Sequence, residues 1–377
     1  MQHCRPERCV TKARTKHQPA MFTQHVPETP EVPRAASAER WTVRLPQPYL
    51  LYLGGPADAA FTKTASGLRD WAPQSCVGEF ASDGATTTVA LPRVTPVEAR
   101  RAGARSVVIG VANIGGFVSR NWVGPLVQCL EAGLDIVSGM HAPLERTPEL
   151  KTAAERCGRA LIDVRKPPRD IPIASGRRRS GKRLLTVGTD CAVGKKYAAL
   201  ALTRAFGKRA VPVDFRATGQ TGIMIAGGGI PIDAVVSDFV AGAAEILSPD
   251  ANADHWDVIE GQGSILHPSY GPVSLGLLLG SQPDVVVVCH ALGRDRVLGL
   301  EDYATPTIEE TIELTLRLAR RTNPQVRCAG VALNTAGLTD GDARNVLAEH
   351  SARLLLPVAD PVRGGREFGL LVAQCLA

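Results

Sequence analysis

Residues 183–200 read Arg-Leu-Leu-Thr-Val-Gly-Thr-Asp-Cys-Ala-Val-Gly-Lys-Lys-Tyr-Ala-Ala-Leu. The apolar residues 184–187 predict a short buried strand, and the strong helix formers from Tyr197 onward predict a helix. Between them lies a loop of small residues, 188–194. Such a loop binds phosphate, because its N–H groups and the helix N-terminus point at the anion. We therefore predict phosphate contacts from Gly188, Thr189, Asp190, Gly194, Lys195 and Lys196.

The loop departs in two ways from the Walker pattern of P-loop nucleotide-binding proteins. Five residues, not four, separate Gly188 from Gly194. Lys196 stands where a Ser or Thr hydroxyl would bind magnesium. The longer loop resembles the Gly-Thr-Asp loop of dethiobiotin synthetase and of the related amidotransferase-type P-loop enzymes. This resemblance implies that the cradle holds ATP and magnesium.

Length and composition indicate a globular protein of two domains. The chain has 377 residues, of which 44% are hydrophobic, and a net charge of +6. Its nine cysteines show no metal-type pairing and no secretion signal precedes them, so we expect reduced thiols in a cytoplasmic protein. We expect neither a membrane nor a nucleic-acid partner, because the sequence shows no membrane-spanning apolar stretch and no recognisable nucleic-acid-binding module.

The order of apolar and polar segments predicts an α/β protein with four regions. Residues 1–45 are polar and basic without an apolar period, which predicts a disordered tail. Residues 46–166 alternate apolar strands with helical segments and predict a Rossmann-like domain with a parallel sheet. Consecutive prolines and an arginine cluster make 167–182 a basic linker, whose charge could attract an anionic ligand. Residues 183–377 predict a P-loop domain with a second parallel sheet, whose last strand is expected at 354–358.

Polar residues follow several predicted strands of the second sheet, at the carboxyl edge where ligands bind in such folds. The segment 216–222 combines a cation, hydroxyls and an amide, and it predicts substrate contacts from Arg216, Thr218, Gln220 and Thr221. The planar guanidinium of Arg216 suits a carboxylate. Glu260 follows the next apolar strand and is predicted to bind magnesium together with Asp214, provided that ATP is the cofactor.

Several segments resemble, in sequence order, a family of two-domain P-loop proteins whose characterised branch is the D-glutamate N-acetyltransferases. The segments in the second half are 188–196, 217–222, 233–239 and 260–264. Those in the first half are 109–111, 138–141 and 163–168. The resemblance covers about residues 48–375. It implies acetyl transfer from acetyl-CoA to the amine of D-glutamate, with the phosphates of coenzyme A in the cradle.

Acylation of an amine requires a base near neutral pH, and an imidazole titrates in that range. His267 and His290 both follow predicted strands at the edge that carries Lys195. We therefore predict catalytic roles for His267, His290 and Lys195. Asn334 follows a later strand, where nucleotide-binding folds contact the base, and it is predicted to bind the cofactor.

The sequence is compatible with three functions. The first is N-acylation of an amino acid that carries a second carboxylate, with acetyl-CoA as donor. The second is an ATP- and magnesium-dependent ligase that forms an amide or carbamate through an acyl or carboxyl phosphate. The third is a nucleotide-binding regulator without turnover. In each case we expect a small-molecule ligand and a homo-oligomer.

Overall fold

The computed structural model describes residues 43–55, 62–111 and 116–377. All of them belong to one compact unit that spans Val32–Ala377. The described chain starts with strand β1 (Val43–Arg44), which pairs antiparallel with Gly228 and Gly229. Leu45 follows it and is buried. Residues 43–45 are therefore part of the fold, although they were predicted as tail, and residues 1–42 lie outside the described residues.

The first half of the chain forms a five-stranded sheet. Its strands are β2 (Tyr49–Tyr52), β3 (Cys76–Phe80), β4 (Ser106–Ile109), β5 (Asp135–Ser138) and β6 (Leu161–Asp163). They lie in the order β3-β2-β4-β5-β6, and every pairing is parallel. The helices of this half are α1 (Lys63–Trp71), α2 (Pro96–Arg101), α3 (Arg120–Glu131) and α4 (Pro148–Cys157). The sequence predicts strands at 49–53, 107–111 and 135–139, which correspond to β2, β4 and β5, whereas no strand was predicted at β3.

The second half forms a six-stranded parallel sheet and three further short strands. Its strands are β7 (Lys182–Gly188), β8 (Val213–Arg216), β9 (Gly228–Gly229), β10 (Trp256–Ile259), β11 (Val285–Ala291), β12 (Arg296–Val297), β13 (Leu300–Ala304), β14 (Arg327–Asn334) and β15 (Val358–Ala359). The order of the large sheet is β15-β14-β11-β7-β10-β8. Outside it, β12 and β13 form an antiparallel pair, and β9 pairs with β1. Its helices are α5 (Lys195–Lys208), α6 (Gln220–Ala226), α7 (Val240–Leu247), α8 (Gly271–Ser281), α9 (Ile308–Ala319), α10 (Asp340–Leu354) and α11 (Gly365–Leu376). Two parallel α/β sheets confirm the predicted fold class.

The P-loop follows β7, which lies in the interior of the large sheet between β11 and β10. The valine run of β11 is fully buried, as expected for a central parallel strand. The strand predicted at 354–358 is wrong, because α10 continues to Leu354 and only Val358 and Ala359 pair with β14. The chain leaves that helix through Leu355, which adopts a left-handed conformation and is exposed. Across the three described ranges, no helix is both long and apolar enough to span a bilayer.

The two halves share a hydrophobic core. Leu51 and Val108 of the first sheet pack in one buried cluster with Ile223 and Met224 of α6. The Tyr49 hydroxyl donates a hydrogen bond across this boundary to the Met224 carbonyl at 3.0 Å. Helix α6 is therefore held by the first domain, although it follows a strand of the second.

The basic segment before β7 packs on the second domain instead of presenting its charge to a ligand. Arg177 and Arg178 pair with Asp250 and Asp284, and the guanidinium of Arg183 donates to the Ser248 hydroxyl at 2.9 Å. Arg183 itself is buried. These residues precede or begin β7, at the end of the strand opposite the P-loop, which disfavours a role for them in attracting an anionic ligand.

Gly242 in α7 lets the segment after the first domain approach this helix closely. A Cβ on Gly242 would lie 1.9 Å from the Pro172 carbonyl oxygen. We expect Gly242→Ala to lower the free energy of unfolding by about 1–3 kcal/mol through overpacking. Gly207→Ala is the matched control, because that exposed helical position is open and alanine should stabilise it by about 0.5–1 kcal/mol. Thermal denaturation of both variants tests this, and equal melting temperatures would contradict it.

Candidate functional site

The P-loop is held in shape by its own side chains. Gly194 precedes α5 with φ of 107°, a conformation that favours glycine, and Ala192 is also left-handed. The Lys195 ammonium donates a hydrogen bond to the Asp190 carbonyl oxygen at 2.7 Å, which folds its side chain back across the loop. Burial lowers the pKa of Lys195. A buried ammonium at the start of a helix is well placed to meet a phosphate.

The buried Asp190 carboxylate stabilises the P-loop through several hydrogen bonds. It accepts hydrogen bonds from the Cys191 N–H at 2.6 Å, from Arg294 Nη1 at 2.9 Å and from the Leu298 N–H at 2.8 Å. These bonds tie the P-loop to the turn after β11 and to the hairpin of β12 and β13. The carboxylate therefore has a structural role, and only the backbone of Asp190 remains a candidate for phosphate contact.

His290 lies against the P-loop at the end of β11. Its Nδ1 is 2.9 Å from the Thr189 hydroxyl oxygen. Burial lowers the pKa of His290, and the nearby His350, Arg294 and Arg353 lower it further. The lowered pKa favours the neutral imidazole at physiological pH. Its position agrees with the predicted catalytic role, which stays a prediction.

His267 is also near the loop, but its hydrogen bonds disfavour the role of base. Its Nδ1 accepts from the Ser269 and Tyr270 N–H groups at 3.1 and 3.3 Å, so the proton of the neutral ring is on Nε2. That N–H faces Asp190 Oδ1 at 3.7 Å, and no hydrogen-bond acceptor for it is found among the described residues. A nitrogen that already carries a proton cannot take one from an amine. Nor can it ligate a metal, although Asp190, Cys191 and His267 lie close enough to form a cluster.

Glu260 holds the segment that follows β8. Its Oε2 accepts from the Thr218 and Gly219 N–H groups at 3.0 and 3.1 Å, and its backbone carbonyl accepts from the Thr218 hydroxyl at 2.7 Å. Gln262 Nε2 donates to the same hydroxyl at 2.9 Å. Burial raises the pKa of Glu260, with Lys196 as the largest opposing influence. The carboxylate thus fixes the start of α6 beside the P-loop.

Lys196 and the start of α6 face the first domain. A Cβ on Gly67 of α1 would lie 3.3 Å from Thr221 Cγ2 and 3.8 Å from Lys196 Nζ. A Cβ on Gly139, which follows β5, would lie 2.9 Å from Gln220 Cγ. The predicted substrate contacts Thr218, Gln220 and Thr221 therefore lie where the two domains meet next to the P-loop, and their role in binding substrate stays a prediction.

Arg216 and Asp214 lie in a different environment. Arg216 donates through Nε to Asp257 Oδ1 at 2.7 Å and through Nη2 to Asp214 Oδ2 at 2.9 Å. The His255 imidazole lies in the same cluster as Asp214 and Asp257, and its hydrogen bond to Asp257 raises the pKa of His255. The guanidinium thus turns back along its strand toward residues 214 and 257, away from the carboxyl edge. This geometry disfavours Arg216 as a carboxylate clamp and disfavours Asp214 as a partner of Glu260.

A cavity of about 340 Å³ adjoins the P-loop on the side of β14, within the usual range for small-molecule sites. Its lining includes Val193, Gly194, Ala332, Asn334, Pro361 and Val362. The Asn334 side chain accepts from the Ala336 N–H at 3.0 Å, so the loop after β14 is ordered around it. Asn334 lies at this cavity, and its contact with the cofactor stays a prediction. The cavity is largely apolar, which suits the base of a nucleotide more than its phosphates.

Sequence reasoning missed Arg294 and Gln262. Arg294 follows the turn after β11 and carries the positive charge that balances the buried Asp190. Gln262 lies between two glycines after Glu260 and reaches the Thr218 hydroxyl. Both follow strands at the carboxyl edge, and that position was the available signal for each of them.

Two family models match the chain. Residues 74–167 match the N-terminal Rossmann-like domain of DUF1611, and residues 172–369 match its C-terminal P-loop domain, both described as domains of unknown function. A crystal structure of a DUF1611 family protein from Anabaena variabilis superposes with a TM-score of 0.76 at 34% identity. It covers 87% of this chain and 99% of that one.

Two curated relatives carry the name D-glutamate N-acetyltransferase. The protein from Tritonibacter scottomollicae is 47% identical over 318 residues, which cover 84% of this chain and 96% of the relative. The protein from a Pseudoalteromonas species is 44% identical over 323 residues, which cover 86% and 97%. These relatives confirm the predicted family and, by their names, place N-acyltransferase enzymes within it. The chain belongs to the DUF1611 family of two-domain proteins, with a Rossmann-like and a P-loop domain.

Proposed function

We propose that this protein transfers the acetyl group of acetyl-CoA to the amine of D-glutamate. The names of its two curated relatives support the reaction and its substrate. The observation that carries the role of acetyl-CoA is the continuity between the P-loop and the apolar cavity, because Gly194 belongs to both. Coenzyme A has the matching parts, since an adenine ring is linked to several phosphates.

In this proposal the P-loop and Lys195 hold phosphates of coenzyme A while the cavity beside Asn334 receives its adenine. Binding of these remote parts positions the thioester for attack by the amine, and binding energy far from the reacting atoms can be used in this way. The amine nitrogen attacks the thioester carbonyl carbon, an N–C bond forms, and the C–S bond breaks as the coenzyme A thiolate leaves. The attacking amine must also lose a proton.

His290 is the base that the geometry favours. In the tautomer whose Nδ1–H donates to the Thr189 hydroxyl, Nε2 is an acceptor that can take the proton of the amine. Its lowered pKa means that the base form persists below pH 6.5 and is lost only as the pH falls through that lowered pKa. His290 remains the predicted base, and His267 accepts hydrogen bonds from its own loop through Nδ1.

Substitution of His290 by glutamine tests this assignment. We expect kcat/KM to fall by about a hundredfold or more and its decline at acidic pH to disappear, because the titrating base is gone. His350→Gln is the control, because it removes another imidazole with a lowered pKa from α10. It should keep the acidic decline, moved toward higher pH because His350 lowers the pKa of His290. A His290→Gln enzyme with the wild-type pH profile would contradict the assignment.

Truncation of the donor tests the proposed use of the cavity and the P-loop. S-Acetylpantetheine keeps the thioester but lacks the adenine and the phosphates. We expect its kcat/KM to be lower than that of acetyl-CoA by about a hundredfold or more, because the remote binding energy is lost. Equal kcat/KM values for the two donors would show that the P-loop does not hold coenzyme A.

A ligase that uses ATP and magnesium is the second candidate. The observation in its favour is Glu260, an acid that directly follows a strand next to the P-loop strand, where P-loop enzymes place a metal-binding carboxylate. Such a ligase would form ADP in a fixed ratio to the product. A coupled ADP assay during turnover separates it from the acetyltransferase.

A further inference from the structure

The phosphate cradle lacks a donor set for magnesium. A P-loop magnesium ion is held by a Ser or Thr hydroxyl at the position after the P-loop lysine and by a carboxylate, in a near-octahedral shell of oxygens. In this chain the hydroxyl position is occupied by Lys196, an ammonium that repels a cation and has no acceptor atom. The first oxygen ligand is therefore missing.

The carboxylates near the P-loop already take part in hydrogen bonds or ion pairs within the protein. Glu260 Oε2 accepts from two backbone N–H groups, and it packs so tightly that a Cβ on Gly222 would lie 2.1 Å from it. The Asp190 carboxylate is bound by Arg294 and by backbone N–H groups. Asp214 is paired with Arg216 in the group that contains Asp257. These residues do not fit a magnesium ion at the P-loop.

The chain supplies positive charge at the same place through Lys196. Its side chain leaves the first turn of α5, and its Nζ lies 4.6 Å from the Tyr197 ring centroid and near α1 at Gly67. A Cβ on Gly261, the residue after Glu260, would lie 3.2 Å from Lys195 Cδ, and one on Gly222 would lie 2.1 Å from Glu260 Oε2. Because Thr221, the residue before Gly222, approaches Gly67 together with Lys196 Nζ, the three charged side chains lie around the P-loop and the start of α6. No hydrogen bond or ion pair of the Lys196 ammonium is found among the described residues, which leaves it able to meet an anion.

We propose that Lys196 takes the place of magnesium in this cradle, so that the phosphates of the cofactor bind without a divalent metal. The two ammonium groups of Lys195 and Lys196 neutralise phosphate charge from within the protein, and Glu260 fixes the start of α6 instead of holding a metal ion. Charge-assisted hydrogen bonds from ammonium to phosphate give the contact its strength. The inference uses the phosphate site of the proposed acetyltransferase, and for coenzyme A it rests on that function.

Calorimetric titration of the full chain with coenzyme A, in chelator and in excess magnesium, is the test. We expect the two dissociation constants of the wild-type protein to agree within about twofold, because the metal adds no contact. Lys196→Ser, which restores the Walker hydroxyl, should bind about tenfold or more weakly in chelator and should regain affinity when magnesium is added. Lys208→Ala, an exposed lysine at the far end of the same helix, is the control that should bind as wild type does.

Wild-type affinity that rises tenfold or more with magnesium would overturn the proposal, and this result needs no variant to fold. Lys196→Ser binding as tightly as wild type in chelator would overturn it as well. Lys196→Arg keeps the cation, and its affinity for coenzyme A should remain independent of metal. This variant keeps the test valid if the serine variant does not fold.

Titration with ATP under the same two conditions separates this inference from the proposed function. If ATP binds equally with and without magnesium while coenzyme A does not bind, the proposed acetyltransferase function is contradicted and the inference about Lys196 is supported. If ATP binds only with magnesium, the inference about Lys196 is contradicted.

Discussion

Replacement of Lys195 by alanine is expected to weaken the binding of acetyl-CoA by about tenfold to a hundredfold. The substitution removes a buried ammonium from the mouth of the P-loop, and a hydrogen bond to a charged group contributes about 1.5–3 kcal/mol. Since 1.4 kcal/mol corresponds to a factor of ten in affinity, the loss is measurable by calorimetry. It should also raise KM for the donor.

Lys208→Ala serves again as the matched control, because this exposed lysine lies at the other end of the 14-residue helix α5. At about 1.5 Å per residue the two side chains start about 20 Å apart. The control should bind acetyl-CoA as the wild-type protein does. If Lys195→Ala also binds acetyl-CoA with wild-type affinity, the P-loop is not the phosphate site.

The second large effect is expected from Asp190→Ala. The substitution leaves the Arg294 guanidinium and the Leu298 N–H without the acceptor that ties them to the P-loop. We expect a loss of about 2–3 kcal/mol in the free energy of unfolding, below the range for fully buried pairs because Arg294 is 25% exposed. Activity should fall by about a hundredfold or more, because a displaced loop misplaces the cofactor. Chemical denaturation and steady-state kinetics measure the two effects.

A double-mutant cycle with Arg294→Ala isolates the ion pair. If Asp190 acts by holding Arg294, the double variant should lose less stability than the sum of the two single variants. Asp83→Ala, at an exposed turn of the first domain, should change neither stability nor activity noticeably. An Asp190→Ala protein with wild-type activity would show that the P-loop keeps its shape without this carboxylate.

The fold could be predicted from the sequence because each major strand of the P-loop sheet is a short apolar run followed by a polar residue. The valine run of β11 and the run before Glu260 were both recognised in this way. The strand predicted at 354–358 was an error because these residues form an apolar run at the end of a helix. In a run of only five residues, the spacing of apolar side chains cannot distinguish a helix from a strand. Strand β3 was missed because Cys76–Phe80 contains Gly78 and Glu79, which break the apolar pattern.

The site could be predicted only as far as the positions of strand ends. Thr189, Glu260 and His290 lie at the carboxyl ends of neighbouring parallel strands, which meet at one edge of the sheet. Lys195 begins the helix that follows the first of these strands. The direction of each side chain could not be predicted, since it depends on cross-strand partners. Arg216 turns back because Asp257 lies on the neighbouring strand. The tautomer of His267 depends on two N–H groups in its own loop, which the sequence does not reveal.

The central claim is acetyl-CoA-dependent acetylation of D-glutamate, and mass spectrometry of the reaction products tests it most directly. The protein is incubated with acetyl-CoA and a panel of D- and L-amino acids, and separately with ATP, magnesium and a carboxylate donor. We predict N-acetyl-D-glutamate from acetyl-CoA without ATP, and much less product from L-glutamate. N-acyl product that appears only with ATP and together with ADP would contradict the account in favour of a ligase. No product under either condition, with cofactor binding intact, would contradict it in favour of a regulator without turnover.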